Sequence, residues 1–345
     1  MLKNYKKILI IGLGSIGQRH FRNLKKIGKN FDFYALRKIR TSPELSKYNL
    51  VKKKKFSLKK SGIKDISERN SIKMTFDAVF ICNPSSLHMK FALKFAKKNT
   101  ALFIEKPISH NLKDTIKLKK KINKNKIICA VGYQLRYHNY LHKIKKIIEN
   151  KLLGDIKSVE ICNQHYLPYH HKYEDYRKGY AANKKLGGGV ILCFIHEIDY
   201  SNFLFGLPTS VKCISGKKSN LEMDVEDFAN LNFKNNLHGN KFDINIKLDF
   251  VRKVEKRECK IIFQHGKIIW DLKKDFLKIK KKGRSMKKMT SAISRNQLFK
   301  KQLIEFNKCI DLNLKPLSNY DNGFESLFVA VKAKESNRLN KRVFF

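Results

Sequence analysis

The chain has 345 residues, 42% of them apolar, enough for a packed core in about two domains and too many for a wholly disordered protein. Lys and Arg number 75 against 29 Asp and Glu, a formal charge of +46 that raises nucleic acid or an anionic membrane as a partner. No apolar run reaches the ~18 residues of a membrane span, and seven scattered cysteines without a Cys-x-x-Cys pair argue against a disulfide scaffold or structural zinc.

From the N-terminus, Ile8 to Ile11 reads as a strand buried on both faces, as in a parallel sheet. It runs into Gly12, Gly14 and Gly17, and a helix follows through Phe21, Leu24 and Ile27. Gly12 suits the tight turn, Gly14 a close approach of backbone to a pyrophosphate, and Gly17 close packing of helix on strand. With Ser15 and Ile16 they form a candidate dinucleotide site at a helix N-terminus. The strand starts within a few residues of Met1, so no signal peptide is expected, and with reduced thiols a cytoplasmic location is expected.

A second strand over Phe31–Leu36 ends at Arg37, about twenty residues past Gly17, where a dinucleotide fold meets the adenosine ribose. Cations at Arg37, Lys38 and Arg40 suit a 2′-phosphate, so NADP is favoured over NAD; the plain alternative is three more cations in a basic chain. Asp77–Cys82 reads as another buried strand, delivering Asn83, Pro84 and, just before the next helix, His88 to the side where ligands bind open parallel sheets. The strand Ala101–Ile104 then delivers Glu105-Lys106-Pro107, either a functional pair or a surface ion pair. A helix near 111–122 and a strand at 127–131 complete a doubly wound domain over 1–132.

Residues 133–345 are expected to form a second domain, with a helix through Leu141, Ile144, Ile147 and Ile148. Strands follow near 156–166, 210–215, 228–233, 242–250, 259–263, 267–271 and 276–279. Short turns such as Asn235-Asn236 and His265-Gly266 predict hairpins and a largely antiparallel open sheet, so the fold class is α/β followed by α+β. Two helices, near 296–309 and 322–337, end the chain. Within this domain Gly187-Gly188-Gly189 starts an apolar helix that carries His196 and Asp199 one turn apart, the spacing of a general acid/base and its carboxylate or of a satisfied core histidine. A metal at His165, His170 and His171 is a lesser alternative, their spacing fitting no recognisable helix, and none is expected. Lysine tracts at 52–55, 119–121 and 280–282 carry few interleaved aromatics for base stacking, so a solvated surface is expected, with no specific nucleic acid and no membrane as partner.

In order, Gly12-Leu13-Gly14-Ser15-Ile16-Gly17-Gln18-Arg19-His20, Asn83-Pro84, Glu105-Lys106-Pro107, Gly132-Tyr133-Gln134-Leu135-Arg136-Tyr137-His138, Gly187-Gly188-Gly189 and His196-Glu197-Ile198-Asp199 resemble the glucose–fructose oxidoreductase, inositol dehydrogenase and MocA-like (Gfo/Idh/MocA) family. The resemblance implies a Rossmann domain, an α/β domain whose open sheet makes a homo-oligomer face, a nicotinamide cofactor, and oxidation or reduction of a secondary alcohol on a sugar, polyol or nucleotide sugar. It implies that Glu105 meets the nicotinamide ribose, that Lys106 and His196 handle the proton, and that Asp199 orients His196 or binds sugar hydroxyls. Tyr133, Arg136, Tyr176, Arg177 and Tyr180 would line the substrate cleft. Many members place a carboxylate three or four residues before the histidine; Cys193 stands there, shifting the proton role towards Lys106. A catalytically weak cofactor-binding sensor or scaffold of the same fold is the alternative.

Overall fold

A computed structural model describes residues 6–28, 30–39, 42–46, 50–53, 55–171 and 173–345; Arg40 and Lys54 lie outside them. The chain divides into two units, one of residues 1–134 and 294–324, the other of 135–293 and 325–345.

In the first unit, β1 (Lys6–Ile11) leads into α1 (Ser15–Ile27) and then β2 (Phe31–Leu36). A small ladder of β3 (Glu44–Leu45) and β4 (Val51–Lys53), helix α2 (Leu58–Ser61), β5 (Ile63–Asp65) and α3 (Glu68–Lys73) follow. Then come β6 (Ala78–Ile81), α4 (His88–Phe95), β7 (Ala101–Ile104), α5 (Thr115–Asn125) and β8 (Cys129–Val131). Six strands pair in the order β5-β2-β1-β6-β7-β8, every pair parallel. The order reverses between β1 and β6, and such a switch point opens a crevice at the strands' carboxyl ends. All of β6 and β7 is buried, as continuous apolar runs between two helical layers require.

The sheet's α1 face is closed by a segment from the far end of the sequence. Among the described residues the cluster of Ile8, Ile10, Phe21, Leu24, Phe80 and Phe103 also includes Leu303 and Phe306. Both belong to α9 (Arg295–Leu312), which starts on a reciprocal cap between Ser294 and Gln297. Phe306 meets Phe80 and Phe103 edge-on at 5.8 and 5.4 Å, and Gln302 donates to the Val131 carbonyl at 2.7 Å.

In the second unit, α6 (Asn139–Glu149) precedes β9 (Ile156–Gln164). The expected single helix after the glycines is instead two, α7 (Val190–Cys193) and α8 (His196–Phe205), so His196 opens a helix. Strands β10 (Ser210–Gly216), β11 (Phe228–Leu237), β12 (Asn240–Asp249), β13 (Lys256–Phe263), β14 (Gly266–Asp271), β15 (Phe276–Lys281) and β16 (Lys287–Thr290) follow. The chain ends with α10 (Tyr320–Arg338) and β17 (Val343–Phe344). Nine strands pair as β16-β15-β14-β13-β9-β12-β11-β10-β17, antiparallel except β12 with β9. Alternate residues such as Val159, Ile161, Ile244, Ile246, Ile261 and Trp270 are buried, the period-two signature of a half-covered sheet. The β11–β12 turn falls at His238–Gly239, φ +51° and +86°, and not at Asn235-Asn236. Asn235 is buried in the ladder and donates to the Phe205 carbonyl at 3.3 Å. Two successive residues with positive φ match a twisted hairpin, which Asn-Asn could equally have offered.

Candidate functional site

Gly12 has φ +92°, and a Cβ there would lie 2.9 Å from the Asn83 backbone nitrogen, so the turn after β1 and the end of β6 touch only because it is glycine. A Cβ on Gly17 would stand 2.0 Å from the Gly12 carbonyl oxygen. Gly14 is different. It is exposed, its φ is −70°, and an added Cβ would meet nothing within 4 Å. It also starts α1 with no side-chain cap and no acidic residue in the first turn, leaving the N–H groups of Ser15, Ile16 and Gly17 directed at whatever lies beyond the turn. Asn83 adds a buried Oδ1 that accepts no hydrogen bond among the described residues. A bare helix N-terminus, a side-chain-free approach at Gly14 and an unmet acceptor fit the diphosphate and amide groups of a dinucleotide.

The neighbouring strand ends carry the remaining first-unit candidates. His88 ties Pro84's turn to Pro107's: its Nδ1 lies 2.8 Å from the Pro107 carbonyl oxygen and its Nε2 2.8 Å from that of Asn83. Burial pushes this imidazole below its ordinary value, the two carbonyls opposing. Glu105 is 7% exposed, its Oε1 2.6 Å from His20 Nε2 and its Oε2 accepting the Lys106 N–H at 3.2 Å. Lys106 is half-buried and precedes a cis peptide bond to Pro107. Arg37 directly follows β2, and its guanidinium is paired with Asp65 at the end of β5, Nη2 to Oδ2 3.2 Å.

In the second unit His196 is 7% exposed at the start of α8. Asp199 is not a free carboxylate. It is wholly buried and receives Arg136 on both oxygens, Nε to Oδ2 at 3.0 Å and Nη2 to Oδ1 at 2.9 Å, with the Ser326 hydroxyl donating at 3.2 Å. Burial pushes the Asp199 carboxyl up while Arg136 pulls it back down. Arg136 is 3% exposed and its guanidinium also lies 5.1 Å from the Phe203 ring centroid, so the structure makes it a brace between the start of the unit and α8. Tyr133 is fully buried, whereas Tyr176 and Tyr180 are half-buried and Arg177 is exposed. Arg177 pairs with Asp175 at 2.9 Å and Glu222 at 3.2 Å, and the Tyr176 hydroxyl accepts the Glu222 N–H at 3.2 Å. His170 stacks on His171 at 4.5 Å, and no group of three or more metal-ligating side chains comes together among the described residues.

Three features escaped the motif reading: Asp65 beside Arg37, His20 against Glu105, and the buried Glu197 paired with Arg257 at 2.7 Å. Each joins residues from different elements, and spacing along the chain carries no signal of such contacts.

Residues 6–133 match the family described as oxidoreductases with an NAD-binding Rossmann fold, and residues 141–269 match the GFO/IDH/MocA C-terminal domain. The chain belongs to the Gfo/Idh/MocA family. It is 28% identical to the myo-inositol 2-dehydrogenase of Thermotoga maritima over 58% of this chain and 55% of that one. The glucose-6-phosphate 3-dehydrogenase of Bacillus subtilis is 24% identical over 66% and 63%. The chain spans about half the length of the first of the curated relatives it matches. In fold it superposes on a levoglucosan dehydrogenase solved with NADH at a TM-score of 0.81, 15% identity and 99% coverage of both chains. The UDP-N-acetylglucosamine 3-dehydrogenase of Acidithiobacillus ferrooxidans gives 0.74 at 16% identity over 96% and 97%. Among the described residues no helix is long and apolar enough to cross a membrane.

Proposed function

We propose that the chain is an NAD(P)-dependent oxidoreductase that moves a hydride between a nicotinamide cofactor and a secondary alcohol or ketone of a sugar, polyol or nucleotide sugar. The observation that carries this reading is the turn at Gly12–Gly17: an uncapped helix N-terminus with a side-chain-free approach, one strand from Asn83 and two from Glu105-Lys106. Family membership and the dehydrogenase names of its relatives support the reaction class. When bound, the nicotinamide would accept or donate the hydride.

The chain's own residues take the other roles. Ser15, Ile16 and Gly17 hold the diphosphate through backbone N–H groups, and Asn83 Oδ1 accepts from the cofactor. Glu105 meets the nicotinamide ribose. Lys106 and His196 carry the proton of the reacting hydroxyl, and Tyr176, Arg177 and Tyr180 recognise substrate. Arg136 and Asp199 brace α8 and thereby His196. Arg37 favours NADP, but Asp65 already neutralises part of its charge, so the preference is expected to be shallow. Homo-oligomerisation through the open face of the nine-stranded sheet, and a cytoplasmic location, complete the reading.

The test is thermal melting and fluorescence titration with NADH and NADPH, followed by a screen of free and nucleotide-activated sugars for cofactor reduction. Binding of a dinucleotide, with turnover lost in Lys106→Met and His196→Asn while cofactor affinity stays, is the expected result. No melting shift with either cofactor at millimolar concentration overturns it.

A further inference from the structure

His20 lies six residues into α1 and is fully buried. Its ring sits among Phe103 at 4.8 Å, Phe80 at 5.6 Å and Phe299 at 6.0 Å between centroids. A histidine in such an aromatic box is an odd choice unless its polar edge is used. Nε2 stands 2.6 Å from Glu105 Oε1, while Nδ1 is buried with no hydrogen-bond partner among the described residues.

That geometry selects a tautomer. A neutral imidazole has one N–H. Placed on Nδ1, the proton would be buried without an acceptor, and the Nε2 lone pair would face a carboxylate oxygen at hydrogen-bond distance, which is repulsive. Placed on Nε2, it is donated to Glu105 and only a bare lone pair is left among the rings. Glu105 is held from two further directions. Its Oε2 accepts the Lys106 N–H at 3.2 Å, and Gly132 packs so closely that a Cβ there would come within 2.7 Å of Oε2 and 2.9 Å of Oε1. Of the roughly four acceptor positions of a carboxylate, two are used inside the protein.

We propose that His20 is the positioning residue of the cofactor site: its Nε2–H fixes the Glu105 carboxylate so that the remaining lone pairs face the hydroxyls of the nicotinamide ribose. This rests on the reading of Glu105 given above and adds the group that orients it. His20 touches neither cofactor nor substrate and acts only through Glu105.

The experiment uses the full chain and three variants, His20→Phe, His20→Gln and Glu105→Gln, with NADH and ADP as ligands. ADP carries the adenosine and diphosphate but no nicotinamide ribose. Loss of a charge-assisted hydrogen bond predicts NADH binding about tenfold weaker or more in His20→Phe, ADP binding unchanged, and recovery in His20→Gln, whose amide restores a donor. If Glu105→Gln binds NADH like the parent, the assignment of Glu105 falls and this proposal with it. If Glu105→Gln weakens NADH but His20→Phe does not, the proposal alone is overturned. A parallel loss of ADP affinity in His20→Phe also overturns it, because the damage would then lie in the glycine turn. Should His20→Phe fail to fold, nitrogen-15 spectra of histidine-labelled parent protein decide: a proton held on Nε2 of His20 is expected, and an Nδ1–H tautomer or a rapidly exchanging ring refutes the orientation.

Discussion

Gly14→Ala separates binding from folding at the glycine turn. A Cβ at Gly14 has no neighbour within 4 Å and φ is −70°, so alanine fits without strain. The one structural cost is a poorer helix start, about 0.5–1 kcal/mol, or roughly 1–4 °C in Tm for a unit of this size. The methyl group nevertheless occupies the approach to three uncapped N–H groups. Displacing a diphosphate from one charge-assisted hydrogen bond costs about 1.5–3 kcal/mol, which is roughly 10- to 150-fold in Kd. Gly17→Ala is the control: its Cβ would stand 2.0 Å from the Gly12 carbonyl oxygen, so the turn itself must move, at about 1–3 kcal/mol of stability. NADH titration by fluorescence and thermal melting read both variants. If Gly14→Ala binds NADH as the parent does, the diphosphate does not lie over this turn; if it melts as low as Gly17→Ala, the turn does not accept a methyl group without strain.

Asp65→Asn frees Arg37 from its partner and should raise the NADPH to NADH affinity ratio severalfold, while Arg37→Ala lowers it; an unchanged ratio in both places the 2′-phosphate elsewhere. Asp199→Ala leaves the Arg136 guanidinium buried without a counter-charge and should cost about 3–5 kcal/mol in urea unfolding. A loss below about 1 kcal/mol would show that the pair does not brace α8. The folded state keeps His88 below its ordinary value, so as pH falls below about 6.5 the unfolded chain takes up that proton first and stability declines. His88→Gln should remove this part of the decline between about pH 7.5 and 5.5, and an unaltered slope in denaturant unfolding contradicts it. Binding of the lysine-rich surface to duplex DNA should collapse by a factor of about a thousand or more between 50 and 200 mM salt; nanomolar affinity that persists there would reveal a dedicated polyanion site.

The strand-turn-helix at 8–27 was legible from residue types because each glycine answers a local demand: a positive φ at Gly12, a close backbone contact at Gly17. The apolar runs of β6 and β7 were legible for a related reason, since strands covered on both faces need no alternation. Local rules likewise located the hairpin sheet, but placed one turn three residues early, because Asn-Asn and His-Gly both tolerate the left-handed region.

Tertiary structure alone decided the rest. Residues 294–324 look like a terminal helix in sequence, yet Leu303 and Phe306 complete the core beneath β1, β6 and β7, because that face of the sheet needed covering. By motif Arg136 reads as a substrate ligand and Asp199 as a residue that orients His196 or binds sugar hydroxyls; sixty-three positions apart along the chain, the two pair with each other in the interior. Arg37 with Asp65 and His20 with Glu105 follow the same pattern. Backbone conformation and burial depend on neighbours a few residues away, which a sequence displays. The partner of a buried charge depends on which strands lie side by side, and only the folded sheet specifies that.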